Sequence, residues 1–356
     1  MAQRQEKVAS RGTGPVVEAI HPLKLWLGRC IAAVWCLWLL VLTLVAVSRF
    51  FANQAWAIDL VANVSYFIAL PAALTVVAAL WRRRLGYAGC ALLVTLTAFW
   101  PVRWMIRPAS TPPTAPASRH EVRVVVANVH GSQQALDGLI ALLGRVQPDV
   151  AVAIEVSPGL ESYLSENPVV REALPFVVGP ERGMTWRDMI LTRHPMHRLR
   201  FDGDDERYKF VYAYRRSCFV DKPEGRFLFT AAHPASPRNV SVWAHGNEIT
   251  SLLAEVIQAH LLPVGVPVVV GGDFNATPSG RRHRIMLDRS GLRPVDEIGG
   301  ITGTWPSDWP GPLRLTIDRV WASPNVEFIR REVLEDIGSD HRPILVTLSL
   351  PRGEEP

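Results

Sequence analysis

The stretch VVVGGDFNATPSG, residues 268–280, carries a β-branched apolar run straight into Asp273 and Asn275. Two positions apart at the end of an extended segment, a carboxylate and an amide point to the same side. Such a pair suits water attacking phosphorus: the carboxylate orients the water or touches a metal, and the amide donates to a phosphoryl oxygen. Polar residues recur in the same way where other apolar runs end. They are Asn128 after RVVVA, Glu155 after DVAVAI, His233 after FLFTAA, Asp318 within LTIDRVW, and Asp340 with His341 in GSDHRP. One of these alone is ordinary turn chemistry. A succession of them marks the strand ends at which layered folds build their sites.

The residue types divide the work. A hard cation such as Mg²⁺ takes oxygen donors and leaves its remaining positions to water and substrate phosphate. Glu155 is the first candidate ligand, and Asn128 offers a neutral oxygen beside it. His341 adjoins Asp340 and lies far enough from Asp318 for two neighbouring strands to bring the three together. A carboxylate on one imidazole nitrogen fixes the tautomer and leaves the other nitrogen to take a proton from water. His233 is then a donor to a phosphoryl oxygen or to the leaving group.

These residues need elements to hold them. From residue 120 to 351, strand-like runs (EVRVVVANV, DVAVAIEV, FLFTAAH, VPVVVGGDF, LTIDRVWAS, RPILVTLSL) alternate with helical patterns at QQALDGLIALLGRV and NEITSLLAEVIQAHLL. Several of the runs are apolar on both faces, which predicts sheets covered by helices.

The preceding part of the chain has a different character. At 356 residues the chain is long enough for two domains, and 48% hydrophobic content is high for a wholly soluble one. Apolar runs at residues 31–48, 60–80 and 85–102 each approach the ~20 residues that span ~30 Å of hydrocarbon. Trp81, Trp100 and Trp104 fall where interfacial aromatics are expected. Arg4, Lys7, Arg11, Lys24 and Arg29 before the first run, and Arg82, Arg83 and Arg84 in the second loop, predict that both face the cytoplasm, against Arg49 alone in the first loop. An odd number of crossings then places everything after residue 106 outside. The expected organisation is a cytoplasmic segment 1–24, a three-helix transmembrane anchor 25–106, a Pro-rich linker 107–119 and a catalytic domain 120–351.

Charge follows the same division. Up to Ser118 there are 11 Lys+Arg against 3 Asp+Glu, and from Arg119 onward 27 against 30. The net charge of +5 therefore belongs to the membrane part. The outer part offers no evident basic groove for a polyanion, which disfavours a nuclease. Its single cysteine, Cys218, excludes a disulfide framework there; the other three, Cys30, Cys36 and Cys90, lie in or beside the apolar runs.

In this order, Asn128, Glu155, AAHPASP, GGDFNATP, TIDRVWAS and GSDHRPI resemble the endonuclease/exonuclease/phosphatase (DNase I-like) superfamily, and MILTRHPM at 189–196 is similar to a further family strand. The resemblance implies an α/β fold, a four-layer α/β/β/α sandwich, that cleaves phosphoester or phosphoanhydride bonds with a divalent metal, Mg²⁺ or Mn²⁺. It implies that Glu155 is the principal metal ligand, with Asn128 close by and Asp340 contributing. His341 becomes the general base paired with Asp318, His233 faces the phosphate, and Asp273 with Asn275 hold the nucleophile and phosphoryl oxygens. Arg193, closing the run MILTR, is a phosphate contact or a solvated strand-end arginine. The Ala before His233 departs from the family's commoner Thr and puts little in doubt.

Three helices followed by such a domain also resemble the bacterial membrane proteins of the VanJ type linked to teicoplanin resistance. The expected function is therefore an outward-facing, membrane-anchored phosphohydrolase on a lipid-linked phosphate such as a polyprenyl diphosphate, with the bilayer as its partner. Alternatives are an extracytoplasmic nuclease, a phospholipase C-like phosphodiesterase, and an inactive binding domain on an anchor. Blander readings go to the Trp305/Trp309 loop, packing on its own domain or forming a lip; to DGDDER at 202–206, a solvated acidic loop; and to GRRHR at 280–284, a helix start with exposed charges.

Overall fold

The computed structural model describes residues 16–106, 118–179, 188–199, 217–294 and 302–352. The start of the segment 1–24, nearly all of the linker 107–119 and the acidic loop 202–206 lie outside the described residues.

Helices α1 (Val16–Ser48), α2 (Trp56–Val64), α3 (Ala69–Trp81) and α4 (Leu85–Phe99) make up the hydrophobic part. A 3-10 turn, Ser65–Ile68, joins α2 to α3. Three stretches, Leu25–Phe51, Trp56–Trp81 and Leu85–Arg103, are long and apolar enough to cross a membrane. Their contacts are built from small residues, with Ala46, Ala72 and Ala98 fully buried beside Leu42 and Val94. Leu37, Val77 and Leu93 point outward instead, each more than 60% exposed. Small residues within and large apolar ones without is the packing expected of helices solvated by lipid.

The rest is a sandwich of two mixed sheets. The strands are β1 (Arg119–Asn128), β2 (Val150–Ile154), β3 (Phe176–Val178), β4 (Met189–Thr192), β5 (Met196–Arg198) and β6 (Ser217–Lys222). They continue with β7 (Gly225–Ala232), β8 (Val268–Asp273), β9 (Arg293–Pro294), β10 (Asp318–Ala322), β11 (Glu327–Val333) and β12 (Ile344–Pro351). One sheet has the order β11-β12-β1-β2-β4-β3 and the other β5-β6-β7-β8-β10-β9. Each centres on one parallel pair, β1 with β2 and β7 with β8, and the remaining pairs are antiparallel. A parallel pair needs a crossover. Helix α5 (Gln133–Val146) supplies it in the first sheet and α8 (Val240–Val256) in the second, with the short helices α6 (Leu160–Glu166) and α7 (Pro168–Ala173) between them in the chain.

The period of two divides each central strand between two cores. Val122, Val124 and Val126 of β1 face the other sheet, where they meet Phe227, Phe229 and Val269, while Val125 and Ala127 face α5 through Leu136, Leu139 and Leu143. Burial on both faces explains why these runs look apolar throughout. A third cluster sets Val268, Val270 and Trp321 against Leu253 and Ile257 of α8 and its continuation, and Met286 of α9 (Arg281–Arg289). Gly272 is required by close approach, because a Cβ there would run into the Ala232 carbonyl of the neighbouring strand.

Three sequence expectations change. α8 starts at Val240 rather than at Asn247, because Asn239 caps it by accepting from the Val242 amide at 3.0 Å. GRRHR does start a helix, but its charges are not all exposed: Arg282 is buried and donates to the carbonyls of Pro234, Phe274 and Ala235 at 3.3, 3.2 and 2.8 Å. The strands β3, β6 and β11, too short or too polar to stand out by pattern, complete the sheets.

At the entry to β2, buried Asp149 accepts from the Arg123 amide at 2.8 Å, and from His194 and Lys222 at 2.9 Å each. Burial pushes its carboxyl up, but the bonds from His194, Lys222 and Arg123 outweigh this and bring it down to about 2. A depressed folded-state value stabilises the fold above the ordinary carboxylate pKa, and the contribution is lost as pH falls through about 2. Asp149→Asn is expected to cost about 2 kcal/mol. The measurement is the melting temperature of the detergent-solubilised chain, with the difference from wild type fading as the pH is lowered through the carboxylate range.

Candidate functional site

The expected residues converge because of strand direction. β1, β2, β7 and β8 all end at one edge of the sandwich, carrying Asn128 and Asp273 as last residues and Glu155 and His233 immediately after. β10 and β12 run the other way. Asp318 pairs with Asp273, and Ile344 with Val126, so the opening residues of these strands, Asp318 and the Asp340-His341 segment just before β12, reach the same edge.

β1 and β8 finish with the same turn. The Asn128 Oδ1 accepts from the His130 amide at 2.9 Å, and the Asp273 Oδ1 accepts from the Asn275 amide at 2.7 Å. His130, Asn275 and, after β2, Glu155 hold left-handed φ of 46°, 49° and 59°. Non-glycine residues adopt this only where the surroundings enforce it, and it aims their side chains away from the strand direction.

With one Asp273 oxygen in the turn, the other, Oδ2, faces inward, 3.2 Å from Asn128 Nδ2 and 3.8 Å from His341 Nε2. The opposite nitrogen of that ring, Nδ1, meets Asp318 Oδ2 at 2.9 Å. Asn128 Nδ2 also lies 3.3 Å from Glu155 Oε1. His130 Nδ1 stands between two carboxylates, 3.4 Å from Glu155 and 3.6 Å from Asp340. Asp340 accepts in addition from Trp305 Nε1 at 3.0 Å. Asn275 Nδ2 donates to the Pro234 carbonyl at 3.1 Å, which leaves its second N–H for another acceptor.

Charge sets the protonation. Burial alone would strip the proton from His341, but Asp318 and Asp273 beside it overcome this and raise its pKa to about 9. Burial and the neighbouring Asp318 both raise Asp273. His233 is buried, with Nδ1 at 3.3 Å from Asp188 and Nε2 at 3.3 Å from Glu155. Desolvation opposes its charge, and the two carboxylates win, holding it up to about 10. In return, although burial favours the neutral acid, His233 and Asn128 bring Glu155 down to about 2. Glu155 is therefore ionised across the working pH range, with a fixed cation behind it.

A pocket of about 410 Å³ opens at this edge, with His130, Glu155, Asp273, Asn275, Asp340 and His341 along its polar side. Two groups could hold a divalent ion. Asp273, Asp318 and His341 present ligand atoms within 4.8 Å of one another. Glu155 and Asp340, with Asn128 next to Glu155, converge from the other side. Asp273 and Asp318 are each only 1% exposed and Asp318 is already bonded to His341, whereas the Glu155 and Asp340 side chains are 20% and 40% exposed. The donors of the second set that face the pocket, the carboxylate oxygens of Glu155 and Asp340, are of the kind a Mg²⁺ site uses.

Two members escaped the sequence reading. Asp188 directly precedes β4, and the pairing of Met189 with Ala153 brings it under Glu155, from whose amide it accepts at 3.4 Å. An acidic residue directly before MILT was the available signal. His130 was signalled only by lying two residues after Asn128. Arg193 is a correction: antiparallel pairing of Thr192 with Val150 puts it at the entry to β2, the edge away from Glu155, where it donates to the Gln147 carbonyl. His233 is found behind Glu155, both its nitrogens against carboxylates.

A four-layer α/β sandwich with carboxylates and histidines gathered at one edge is the DNase I-like fold. The model of the endonuclease/exonuclease/phosphatase family matches residues 125–341, more than half of the chain, and the chain belongs to this family. The family gathers nucleases and phosphatases, hydrolases of phosphoester bonds, and its members typically depend on a divalent metal. An AP endonuclease from Archaeoglobus fulgidus is similar at a TM-score of 0.52 and 13% identity, over 63% of this chain and 98% of that one. D. rerio TDP2 complexed with single strand DNA product is similar at 0.49 and 17%, over 64% and 98%. A family protein from Bacteroides thetaiotaomicron is similar at 0.48 and 16%, over 65% and 98%. Such identities bear on fold alone. No curated protein matches the chain.

Asp188→Asn removes one of the two carboxylates that hold the proton on His233. The imidazole is expected to titrate well below about 10, followed by NMR of labelled histidines.

Proposed function

We propose that this protein is a membrane-anchored, Mg²⁺-dependent phosphohydrolase in which water attacks the phosphorus of a lipid-linked phosphate, such as a polyprenyl diphosphate. The observation that carries the reading is the alignment of Asp318, His341 and Asp273 across one pocket from Glu155 and Asp340. Glu155 and Asp340, with Asn128 beside Glu155, would hold Mg²⁺ or Mn²⁺. The ion would neutralise charge on the phosphoryl oxygens.

The chain's own groups do the rest. Asp318 fixes the ring of His341 through Nδ1 and leaves Nε2 to receive the proton of the attacking water. Asp273 lies against the same nitrogen and orients that water. Asn275 donates its second N–H to a phosphoryl oxygen. His233 holds Glu155 in place and keeps it ionised.

Address and charge support the lipid-linked substrate. By the positive-inside rule, the arginine-rich turn at residues 82–84 would set one end of the bundle in the cytoplasm. The sandwich meets the opposite end, around residues 49–66, which supports an outward-facing site. From Arg119 onward the balance is −3, which gives a duplex nucleic acid little to bind. This placement is what the teicoplanin-linked resemblance would require.

The detergent-solubilised chain with Mg²⁺ is expected to release inorganic phosphate from a prenyl diphosphate, and to lose this in EDTA. Glu155→Gln and His341→Ala are each expected to lower kcat by on the order of 10²–10⁴-fold. A base must be neutral to act, so kcat/KM should rise with pH until His341 is deprotonated, near 9, and His341→Ala should abolish that limb. Activity unchanged in EDTA would exclude the metal. Nicking of a plasmid without phosphate release from lipids would transfer the reading to the nuclease.

A further inference from the structure

The sandwich does not close its own pocket. Leu60, Asn63 and Val64 of α2 line the same cavity as Glu155, Asp273 and His341. α2 is the first part of the second apolar span, Trp56–Trp81. Leu315 and Ile317 extend this apolar wall, and Leu315 packs against Tyr66 and Val102 of the hydrophobic part. One side of the cavity is therefore phosphate chemistry and the other is the flank of a helix built for lipid.

Polar bonds fix that flank in place. Trp56 Nε1 donates to the Pro237 carbonyl at 2.7 Å, and Asp59 accepts from Trp243 Nε1 and the Arg281 amide at 2.8 Å each. Asn63 Oδ1 accepts from the Thr277 amide at 2.7 Å, and its carbonyl accepts from Thr277 Oγ1 at 2.8 Å. Thr277 follows Asn275 by two residues, so the loop that presents Asp273 and Asn275 also grips the helix. Gly280, in the same loop, lets Asn63 approach, since a Cβ there would strike its amide. Buried polar residues on a membrane helix are costly unless bonded; here Asn63 Nδ2 donates within α2 to the Asp59 carbonyl at 2.8 Å, and the remaining partners named above lie in the catalytic half. Leu60 and Val64 remain 36% and 40% exposed.

We propose that α2 is a wall of the substrate site: the phosphate sits among Glu155, Asp273 and His341, and the hydrocarbon chain of the same molecule leaves along Leu60 and Val64 toward the bilayer. Leu60 and Val64 then select for long-chain phosphates that enter sideways from the membrane. This rests on the hydrolase reading above and adds to it which residues read the chain.

The experiment compares farnesyl diphosphate with dimethylallyl diphosphate, the same head group on a longer and a shorter chain, using the full-length protein in detergent micelles. Wild type is expected to prefer farnesyl diphosphate, and Leu60→Ser and Val64→Ser each to reduce the ratio of the two kcat/KM values about tenfold, chiefly through KM. As a measurement that needs no variant, a photoreactive farnesyl diphosphate is expected to cross-link to the peptide containing residues 60–64, in competition with farnesyl diphosphate. Hydrolysis of both substrates with an unchanged ratio, or cross-links confined to the residues after 118, would overturn this proposal and leave the hydrolase standing. Phosphate release from neither substrate would remove the hydrolase reading and this one with it.

Discussion

The carboxylates of Glu155, Asp188, Asp273, Asp318 and Asp340 crowd one edge of the sandwich, and most of them are largely removed from water. Like charges at such distances repel strongly, and a buried carboxylate is unfavourable on its own account. The arrangement holds because imidazoles are interleaved with the acids: His233 between Asp188 and Glu155, His341 between Asp318 and Asp273, and His130 between Glu155 and Asp340. This alternation decides which groups are ionised. Asp273, the acid facing another carboxylate most directly, is pushed toward its neutral form, while Glu155, backed by His233, is held ionised. A cation and a phosphate brought to the pocket meet charges already sorted into acceptors and donors.

That balance depends on topology. Each sheet centres on a parallel pair whose crossover helix covers its outer face, and the two sheets meet through β-branched side chains. Parallel centres send Asn128, Glu155, His233 and Asp273 to one edge. Antiparallel neighbours return Asp188, Asp318 and His341 to it from strand beginnings. The repeated turn after β1 and β8 shows the economy of the arrangement: one side-chain oxygen builds the turn and leaves the remaining polar atoms for the site. The hydrophobic helices join the same edge through Asn63 and Thr277, which ties the position of the membrane part to the catalytic loop.

Much of this was legible in the chain. The apolar runs announced their spans by length, and β1, β2, β7, β8 and α5 announced themselves by apolar runs on both faces and by helical period. The residues Asn128, Glu155, Asp273, Asp318, Asp340 and His341 were recognisable because polar types interrupt apolar strands, which a core tolerates only for a reason. Arg193 misled for the same cause, since a polar strand end looks alike at either edge of a sheet. Direction is a property of pairing, and only the register of β4 on β2 sends Arg193 to the far edge and Asp188 to the near one.

Residue types and their local spacing therefore settled the chemistry available and the layers that would carry it, because periodicity and functional-group type are properties of short segments. What depended on the folded chain was every long-range juxtaposition. His233 turned to hold Glu155, Arg282 went inside, and a helix with lipid-spanning composition became the wall of a phosphate pocket. Along the chain, Asp59 stands just before the apolar run 60–80 and Asn63 within it. Their meaning appears only where Trp243, Thr277 and Arg281, more than 180 residues further on, arrive to bond them.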